Sequence, residues 1–562
     1  MPQYHLPEPV KEYDVRLLKV SAGLALAITA VLAAAPFVAA QRGPAPGVPG
    51  AEACAALAGA GLADTTLTAT YADASVAGTG RGSLPALPAH CIMRGAIGRR
   101  TGVDGKTYET RFELRLPAAW SGRFLYQGGG GNDGSVNPAV GRNTGSFDGV
   151  ALARGFAVVS TDAGHQGGGP EFALDPQARL DHAYLSHEKT ATSAKTLIER
   201  YYGRRPDRSY FVGCSGGGRQ GMMFAQRYPG YFDGISVCAP AMSVSSGATI
   251  AAAWDTIAFT AAAPQGADSR PVLSRAFSNA DLDLVSKGIL RACDAADGAA
   301  DGMVQRPDQC RFDPAVLRCA GEKTDACLSP AQVTALTRAF EGPRDSAGRR
   351  LYVGQPWDPG IAAPGWRQWK LGSAPGGTPN AINATLMAGA LAHQFMTPPD
   401  PGFAITSFNF DRDPARMDAF SREFDTYRDA SLAAFKARGG KLLMFHGTAD
   451  GIFSASESIE YYQRLMAANG GDAARSWARL FLIPGMNHCA GGMATDSFDG
   501  LAALVDWVEK GNAPDRIQAS ALPGNAYFPG RTRPLCPFPL YARYRGTGSI
   551  EDAANFACVT DR

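Results

Sequence analysis

The sequence carries almost no net charge and lacks dense runs of basic residues. It contains 54 Lys and Arg against 52 Asp and Glu, so its formal net charge is +2 at pH 7. Proteins that grip a nucleic-acid backbone need clustered Lys and Arg to neutralise its phosphates. The charge pattern therefore argues against a nucleic-acid partner. No internal repeat is visible either, which excludes an array of repeated units.

A long apolar run is also missing. Residues 20–35 are apolar, but a membrane-spanning helix needs about 20 such residues. The run follows Lys19 and leads into residues 38–40 (Val-Ala-Ala), which are typical of a secretory cleavage site. We therefore predict a signal peptide over residues 1–40 and a secreted or periplasmic protein that keeps no membrane segment. An uncleaved anchor is the alternative.

The most informative motif is Gly-Cys-Ser-Gly-Gly at residues 213–217. It fits the G-x-S-x-G nucleophile elbow of α/β-hydrolases, in which a serine occupies a sharp turn between a strand and a helix. Residues 208–213 are apolar and β-prone, and residues 220–228 have helical apolar spacing that stops at Pro229. The alternative is an ordinary glycine-rich turn, because a chain with 66 glycines can form this pattern by chance.

Buried-strand patterns and helical patterns alternate around this motif. Short apolar runs at residues 441–446 and 479–483 are typical of strands buried on both faces. Residues 241–430 are instead rich in Ala, Gly, Pro and Trp and show no such run. We predict an α/β fold of the α/β-hydrolase type, with a mostly parallel sheet covered by helices on both faces. Residues 41–240 and 431–562 form its catalytic domain, and residues 241–430 form an inserted lid.

The order of residues along the chain predicts a catalytic triad. A serine hydroxyl is a weak nucleophile at neutral pH, so a histidine must take its proton and a carboxylate must orient that histidine. In α/β-hydrolases the chain order is serine, acid, histidine. Asp450 follows one predicted strand and His488 the next, where ligands bind in such sheets. We predict Ser215 as nucleophile, Asp450 as acid and His488 as base, and we expect His446 to be a packed strand residue.

A tetrahedral oxyanion needs two N–H donors. Gly216, directly after Ser215, is expected to supply one of them. The four glycines at residues 128–131 predict the second donor, from Gly131 or Gly130. A structural glycine turn is the alternative for this run.

Eleven cysteines in an exported chain indicate disulfide bonds, and the odd number leaves at least one thiol. Spacing along the chain predicts four local pairs: Cys54 with Cys91, Cys293 with Cys310, Cys319 with Cys327, and Cys536 with Cys558. Cys214, Cys238 and Cys489 remain. Because bridged Cα atoms lie within about 7 Å, a bond between Cys214 and Cys489 would hold the serine and histidine loops side by side. Cys238 lies in an apolar stretch and is typical of a buried strand thiol.

Three aspartates, Asp294, Asp297 and Asp301, fall within eight residues and are interspersed with glycines. Carboxylates this close repel one another unless a hard cation lies among them, and calcium prefers carboxylate and carbonyl oxygens. The spacing is not that of an EF-hand. An acidic turn with helix-capping aspartates fits the same residues.

Together these motifs resemble the tannase and feruloyl esterase family, which includes the mono(2-hydroxyethyl) terephthalate hydrolases. The resemblance covers nearly the whole mature chain and rests on residues 213–220, 128–134, 446–450, 484–489 and 531–539. It implies the triad above, a Cys214–Cys489 bridge and a lid with a structural calcium ion. The calcium ligands that it implies are the side chains of Asp294, Asp297 and Asp301 and the carbonyl groups of Ala299 and Met303.

The resemblance also implies a small aromatic ester as substrate. Phe453, three residues after Asp450, is placed to stack on an aromatic acyl group, although a core phenylalanine is the alternative. Terephthalate-specific members share the segment around Trp369. They carry a lid arginine for the free carboxylate of their substrate, where this chain has Asn383.

We expect Phe453, Trp369 and Asn383 to contact the substrate. No Lys or Arg occurs between residues 373 and 395, so a charged half-ester lacks a partner unless Arg367 or Lys370 reaches the site. The sequence therefore favours a neutral phenolic ester, such as a gallate or ferulate ester, cleaved by a monomeric serine esterase through an acyl-serine intermediate. The alternatives are mono(2-hydroxyethyl) terephthalate hydrolase-like activity and a non-catalytic, calcium-stabilised binding protein.

Overall fold

A computed structural model describes residues 50–78, 84–142 and 149–560. The predicted signal peptide lies outside these residues. The strands are β1 Thr65–Ala72, β2 His90–Thr101, β3 Thr107–Pro117, β4 Arg123–Gln127, β5 Ala157–Thr161, β6 Arg208–Cys214, β7 Gly234–Cys238, β8 Lys441–Gly447, β9 Ala478–Ile483, β10 Ile517–Ser520, β11 Thr532–Leu535, β12 Tyr541–Tyr544 and β13 Phe556–Val559. The helices are α1 Ala51–Ala56, α2 Pro176–Leu180, α3 Ser186–Tyr202, α4 Gly216–Arg227, α5 Thr249–Ala262, α6 Asn279–Cys293, α7 Pro330–Glu341, α8 Pro364–Lys370, α9 Ala388–Ala390, α10 Asp418–Phe424, α11 Ala433–Ala437, α12 Ala455–Ala468 and α13 Gly500–Lys510.

The first nine strands form one sheet in the order β1-β2-β3-β5-β4-β6-β7-β8-β9. The strands from β5 to β9 in this order run parallel, and β1, β2 and β3 add an antiparallel edge. The predicted mostly parallel sheet is therefore confirmed. Two small antiparallel pairs, β10 with β11 and β12 with β13, lie outside it.

Alternate residues of the central strands enter two separate apolar clusters. Phe211 of β6 packs with helices α3, α4 and α12, whereas Tyr210 and Val212 pack with α13. Side chains on a strand point alternately to opposite faces, so both faces of this sheet are buried. This two-sided burial explains why the parallel strands read as continuous apolar runs in the sequence.

The chain leaves the sheet after β7 and returns at β8. Helices α5 to α11 form between these two strands, and residues 241–430 contribute no strand to the sheet. One buried cluster is built entirely from residues between Ala258 and Ala381. A second cluster joins residues of this segment to Ile452 and Phe453, which follow β8. The segment therefore has apolar packing of its own and also packs beside the end of β8, while the exact lid boundaries stay a prediction.

Local capping explains where two of these helices begin. Ser278 caps α6 and exchanges hydrogen bonds with Asp281, and Ser329 and Gln332 do the same at α7. Such capping boxes satisfy N–H groups that a helix start leaves unpaired. Among the described residues, no helix combines the length and the apolar character that crossing a membrane requires.

Five disulfides stabilise the fold: Cys54–Cys91, Cys214–Cys489, Cys293–Cys310, Cys319–Cys327 and Cys536–Cys558. They are the four local pairs predicted from spacing and the bridge implied by the family resemblance. Cys238 is buried in β7 and forms no disulfide.

Candidate active site

Ser215 lies in the turn between β6 and α4, with φ 62° and ψ −124°. L-residues rarely adopt such a conformation, and it persists only where the surroundings hold it. The Ser215 N–H donates to the carbonyl of Cys238 at 3.0 Å, and the Ser215 carbonyl accepts from Arg219 at 3.0 Å. A Cβ atom on Gly213 would lie 2.6 Å from the carbonyl of Gly217. The turn therefore requires the small residues that the elbow motif contains.

Asp450 and His488 meet beyond the ends of β8 and β9. His488 Nδ1 lies 2.7 Å from Asp450 Oδ2. Because an ionised carboxylate only accepts hydrogen bonds, Nδ1 carries the proton and Nε2 is left for the serine. The other carboxylate oxygen, Asp450 Oδ1, accepts from the N–H groups of Ile452 at 2.8 Å and Phe453 at 3.1 Å. The structure thus brings the candidate acid and base into hydrogen-bonding contact, while their catalytic roles stay predictions.

The charge state of Asp450 follows from its surroundings. Burial alone would raise its pKa, but the charges and hydrogen bonds of His488 and His446 outweigh burial and hold the pKa well below the usual value. His446 Nε2 lies 3.5 Å from Asp450 Oδ2. His446 itself is fully buried and bonded to Ser458 and to the carbonyl of Phe453. It is a packed strand residue, as expected from the sequence.

A segment of the predicted lid forms hydrogen bonds with both candidate catalytic loops. Asp358 accepts hydrogen bonds from the Thr448 hydroxyl, two residues before Asp450, and from the N–H of Gly485, three residues before His488. Sequence reasoning missed Asp358, since it belongs to no motif.

Asn487, directly before His488, adds a second connection between the lid and the loops. Its side-chain amide donates to the carbonyl of Gly360 at 3.3 Å and to that of Ala449 at 3.1 Å. Asn487 belongs to the histidine motif of the sequence, but no role was assigned to it there. The lid is therefore part of the frame that positions the acid and the base.

The glycine run after β4 packs against the elbow. A Cβ atom on Gly216 would lie 3.4 Å from the nitrogen of Gly131. Gly216 is the first residue of α4, so its N–H has no partner within the helix. Neither Gly130 nor Gly131 donates its N–H to a backbone carbonyl of the described residues. The arrangement brings the candidate oxyanion donors together and leaves both Gly130 and Gly131 as candidates.

Two side chains that sequence reasoning missed brace this glycine run. Gln220 Oε1, on α4, accepts from the N–H of Gly129 at 3.1 Å, and Gln220 Nε2 donates to Asp133 Oδ2 at 2.9 Å. Asp133 also donates its own N–H to the carbonyl of Gly130 at 3.0 Å. Burial raises the pKa of Asp133 to about 7. Their positions within the two glycine motifs were the available signal.

A cavity of about 690 Å³ lies beside the candidate nucleophile and base. Ser215, His488 and glycines 128–131 line it together with mainly apolar side chains. Trp369 and Phe453 flank the imidazole of His488, with edge-on ring-centroid distances of 5.1 Å and 5.4 Å. Both aromatic residues therefore line the cavity beside His488, and their contact with a substrate stays a prediction.

Asn383, which the sequence predicts as a substrate contact, is not among the residues that line the cavity. Asn383 is buried, but its neighbours Ile382, Leu386 and Met387 line the cavity in its place. A wide helical turn over Asn383–Met387 explains this, because it sets which side chains of the segment face the cavity.

Neither Arg367 nor Lys370 is among the residues that line the cavity. Arg367 donates to the carbonyls of Ser274 and Phe277, and Lys370 forms a buried ion pair with Asp255. The cavity wall does include two other arginines, Arg142 and Arg219.

The predicted calcium ligands lie in the loop after α6. Asp297 Oδ2 is buried without a hydrogen-bond partner among the described residues. Asp294 accepts from the N–H groups of Asp301 and Gly302, and Asp301 pairs with the buried Arg533. The donor set is one that calcium prefers, and the unpaired oxygen fits a cation. In the described part of the chain, however, no three acidic, His or Cys side chains converge to hold a metal.

Comparisons with known proteins agree on one family. The family model described as tannase and feruloyl esterase matches residues 95–559. A mono(2-hydroxyethyl) terephthalate hydrolase from Piscinibacter sakaiensis is 46% identical over 85% of this chain and 86% of that protein. A probable feruloyl esterase from Arthroderma benhamiae is 32% identical over 80% of this chain and 82% of that protein. The crystal structure of feruloyl esterase B from Aspergillus oryzae superimposes with a TM-score of 0.76, at 26% identity, over 91% of this chain and 100% of that one.

Proposed function

The chain belongs to the tannase and feruloyl esterase family of carboxylic ester hydrolases, and we propose that it cleaves small aromatic esters through an acyl-serine intermediate on Ser215. One observation carries this proposal. The 2.7 Å hydrogen bond between His488 Nδ1 and Asp450 Oδ2 lies at the wall of the cavity that Ser215 also lines.

The mechanism follows from the roles of these groups. His488 Nε2 takes the proton of Ser215 Oγ as that oxygen attacks the ester carbonyl carbon. The N–H of Gly216 and that of Gly131 or Gly130 bind the resulting oxyanion. His488 then gives its proton to the leaving alcohol, which departs as the C–O bond breaks. Water, deprotonated by the same histidine, releases the acid from Ser215. Asp450 stabilises the imidazolium in both halves of the reaction.

The side chains of the cavity wall favour a substrate with an aromatic acyl group. Trp369 and Phe453 stand beside His488 and offer ring faces and edges to a planar substrate. No Lys or Arg of residues 241–430, all of which the structure describes, lines the cavity, and Arg367 and Lys370 are bonded elsewhere. A neutral phenolic ester, such as a ferulate or gallate ester, is therefore the favoured substrate.

A second candidate is hydrolysis of a terephthalate half-ester. The 46% identity to the Piscinibacter sakaiensis hydrolase favours it. Arg142, which lines the cavity outside the lid, adds a cation of the kind that a free carboxylate needs.

The proposal also includes a structural calcium ion and export of the chain. Asp294, Asp297 and Asp301, with the carbonyls of Ala299 and Met303, would hold the ion. The unpaired Asp297 Oδ2 supports this assignment. A calcium ion there would neutralise three carboxylates and stiffen the loop that the Cys293–Cys310 disulfide closes. The signal-like residues 1–40 support a secreted or periplasmic location.

Replacement of the nucleophile tests the proposal directly. Ser215→Ala is expected to lower kcat on methyl ferulate by about four orders of magnitude or more. Ser476→Ala is the matched control, because Ser476 is exposed and its hydroxyl donates to the carbonyl of Ala473. Rates on methyl gallate, methyl ferulate and mono(2-hydroxyethyl) terephthalate rank the two candidate substrates.

A serine-directed fluorophosphonate adds an independent test. It is expected to label Ser215 and to leave Ser215→Ala unlabelled. Unchanged turnover in Ser215→Ala, or no adduct on Ser215 in the wild-type protein, would refute the mechanism and favour a binding protein.

A further inference from the structure

The cavity contains a polar group that the catalytic mechanism does not use. Gln394 lies in the helical turn Leu391–Phe395 of the lid, is 0% exposed and lines the cavity. Its Nε2 lies 2.8 Å from Nδ1 of His182, which also lines the cavity. Its Oε1 has no hydrogen-bond partner among the described residues. Buried polar groups are nearly always paired, so an unpaired acceptor on a cavity wall indicates a ligand.

The neighbouring histidine orients this amide. Burial, with the nearby His165, Arg219 and His187 adding to it, lowers the pKa of His182 well below its usual value. A neutral imidazole has one acceptor nitrogen. In the structure the amide N–H₂ of Gln394 faces Nδ1, so Nδ1 accepts in this arrangement and Oε1 is left without a partner among the described residues.

Arg219 connects this pair to the nucleophile. Its N–H donates to the Ser215 carbonyl at 3.0 Å, and its guanidinium donates to the His182 carbonyl at 3.1 Å. Arg219 is one turn of α4 beyond Ser215, so this helix connects the elbow to the backbone beside the His182–Gln394 pair.

The guanidinium of Arg219 is held by several groups at once. It donates to the carbonyls of Ala183 and Phe424 as well as to that of His182, and it stacks on the Phe424 ring at 3.9 Å. These guanidinium N–H groups are therefore engaged in hydrogen bonds to backbone carbonyls. Gln394 Oε1, by contrast, has no hydrogen-bond partner among the described residues.

We propose that Gln394 binds a hydroxyl group on the aromatic ring of the acyl group. Oε1 accepts a hydrogen bond from the phenolic O–H while the ester carbonyl lies at Ser215. This inference rests on the proposed function, names the residue that recognises the phenolic hydroxyl, and favours the phenolic esters over the terephthalate half-ester. A bare ring would leave Oε1 buried and unpaired, and a carboxylate would bring its oxygens against an oxygen acceptor. Both are disfavoured relative to a hydroxyl donor.

A matched pair of esters tests the inference. The wild-type protein is expected to prefer methyl 4-hydroxycinnamate to methyl cinnamate by about tenfold or more in kcat/KM, the range of one buried hydrogen bond. In Gln394→Met the ratio of kcat/KM for the two esters is expected to fall to about one. Gln177→Met, at an exposed position of α2, is the matched control and should retain the preference.

Several outcomes would overturn the inference. One is an equal kcat/KM of the wild-type protein on the two cinnamates. Another is a preference for the hydroxylated ester that persists in Gln394→Met. A third is a loss of kcat/KM in that variant that affects only mono(2-hydroxyethyl) terephthalate. Gln394→Ala provides a second variant if Gln394→Met does not fold, and the wild-type pair remains decisive without either. Absence of turnover on every ester would refute the proposed function itself. Equal turnover of both cinnamates would remove only the role of Gln394.

Discussion

The bridge between Cys214 and Cys489 joins the residue before the nucleophile to the residue after the base. Both cysteines line the cavity, and their Cα atoms are 6.0 Å apart. Cys489 also has a φ of 65°, a left-handed conformation that costs a residue with a Cβ atom about 1 kcal/mol or more. We expect Cys214→Ala/Cys489→Ala to release His488 from its position beside Ser215.

The expected stability loss follows from the length of the closed loop. The bridge spans a sequence separation of 275 residues, for which loop-closure entropy corresponds to about 5 to 6 kcal/mol in the free energy of unfolding. Cys319–Cys327 spans 8 residues, for which the same relation yields about 2 to 3 kcal/mol. A misplacement of about 1 Å between reacting groups can lower a rate about a hundredfold. The first pair should therefore affect both stability and kcat, and the second pair stability alone.

The two double variants are best compared under the same conditions. Denaturant unfolding measures the loss of stability, and kcat on methyl ferulate below the melting temperature of each variant measures alignment. Cys319→Ala/Cys327→Ala serves as the control. A kcat within twofold of the wild-type value in Cys214→Ala/Cys489→Ala would refute the argument that the bridge aligns the triad. A larger stability loss in the control pair would refute the loop-length argument.

Three further predictions concern the surroundings of the site. Gln220→Met removes both hydrogen bonds that brace the oxyanion loop, so kcat should fall about tenfold to a hundredfold at nearly constant KM; a change in KM alone would contradict this. Burial raises the pKa of Glu457 to about 8, so the folded protein binds this proton more tightly than the unfolded chain and loses stability as pH rises towards 8. The melting temperature of Glu457→Gln should therefore exceed that of the wild type increasingly between pH 5 and 8, and a pH-independent difference would argue against it. Chelation of calcium should lower the melting temperature of the wild type but not that of Asp297→Asn, and an unchanged wild-type value would count against a structural ion.

The sequence by itself determined the elbow and the order of the triad. Gly213 and Gly217 lie close together within the turn, and a side chain on Gly213 would clash there. The turn at Ser215 therefore requires small residues nearby, which are visible as a local pattern in the sequence. Asp450 and His488 follow buried strands, whose apolar runs are visible because both faces of the sheet are covered. Loops at the carboxyl ends of adjacent parallel strands meet at one edge, which is why a linear pattern was enough to place the acid and the base together.

Only the tertiary structure decided which side chains support and shape the site. Gln220 and Asp133 are 87 residues apart, and Asp358 bonds to Gly485 across 127 residues. No local periodicity encodes such pairs, because each depends on how the lid and the loops pack in three dimensions. The same packing keeps Asn383 off the cavity wall and brings Gln394 onto it. Small residues at the turn and apolar runs in the strands thus determined where the candidate triad lies, whereas the packing of residues 241–430 determined which side chains line the cavity.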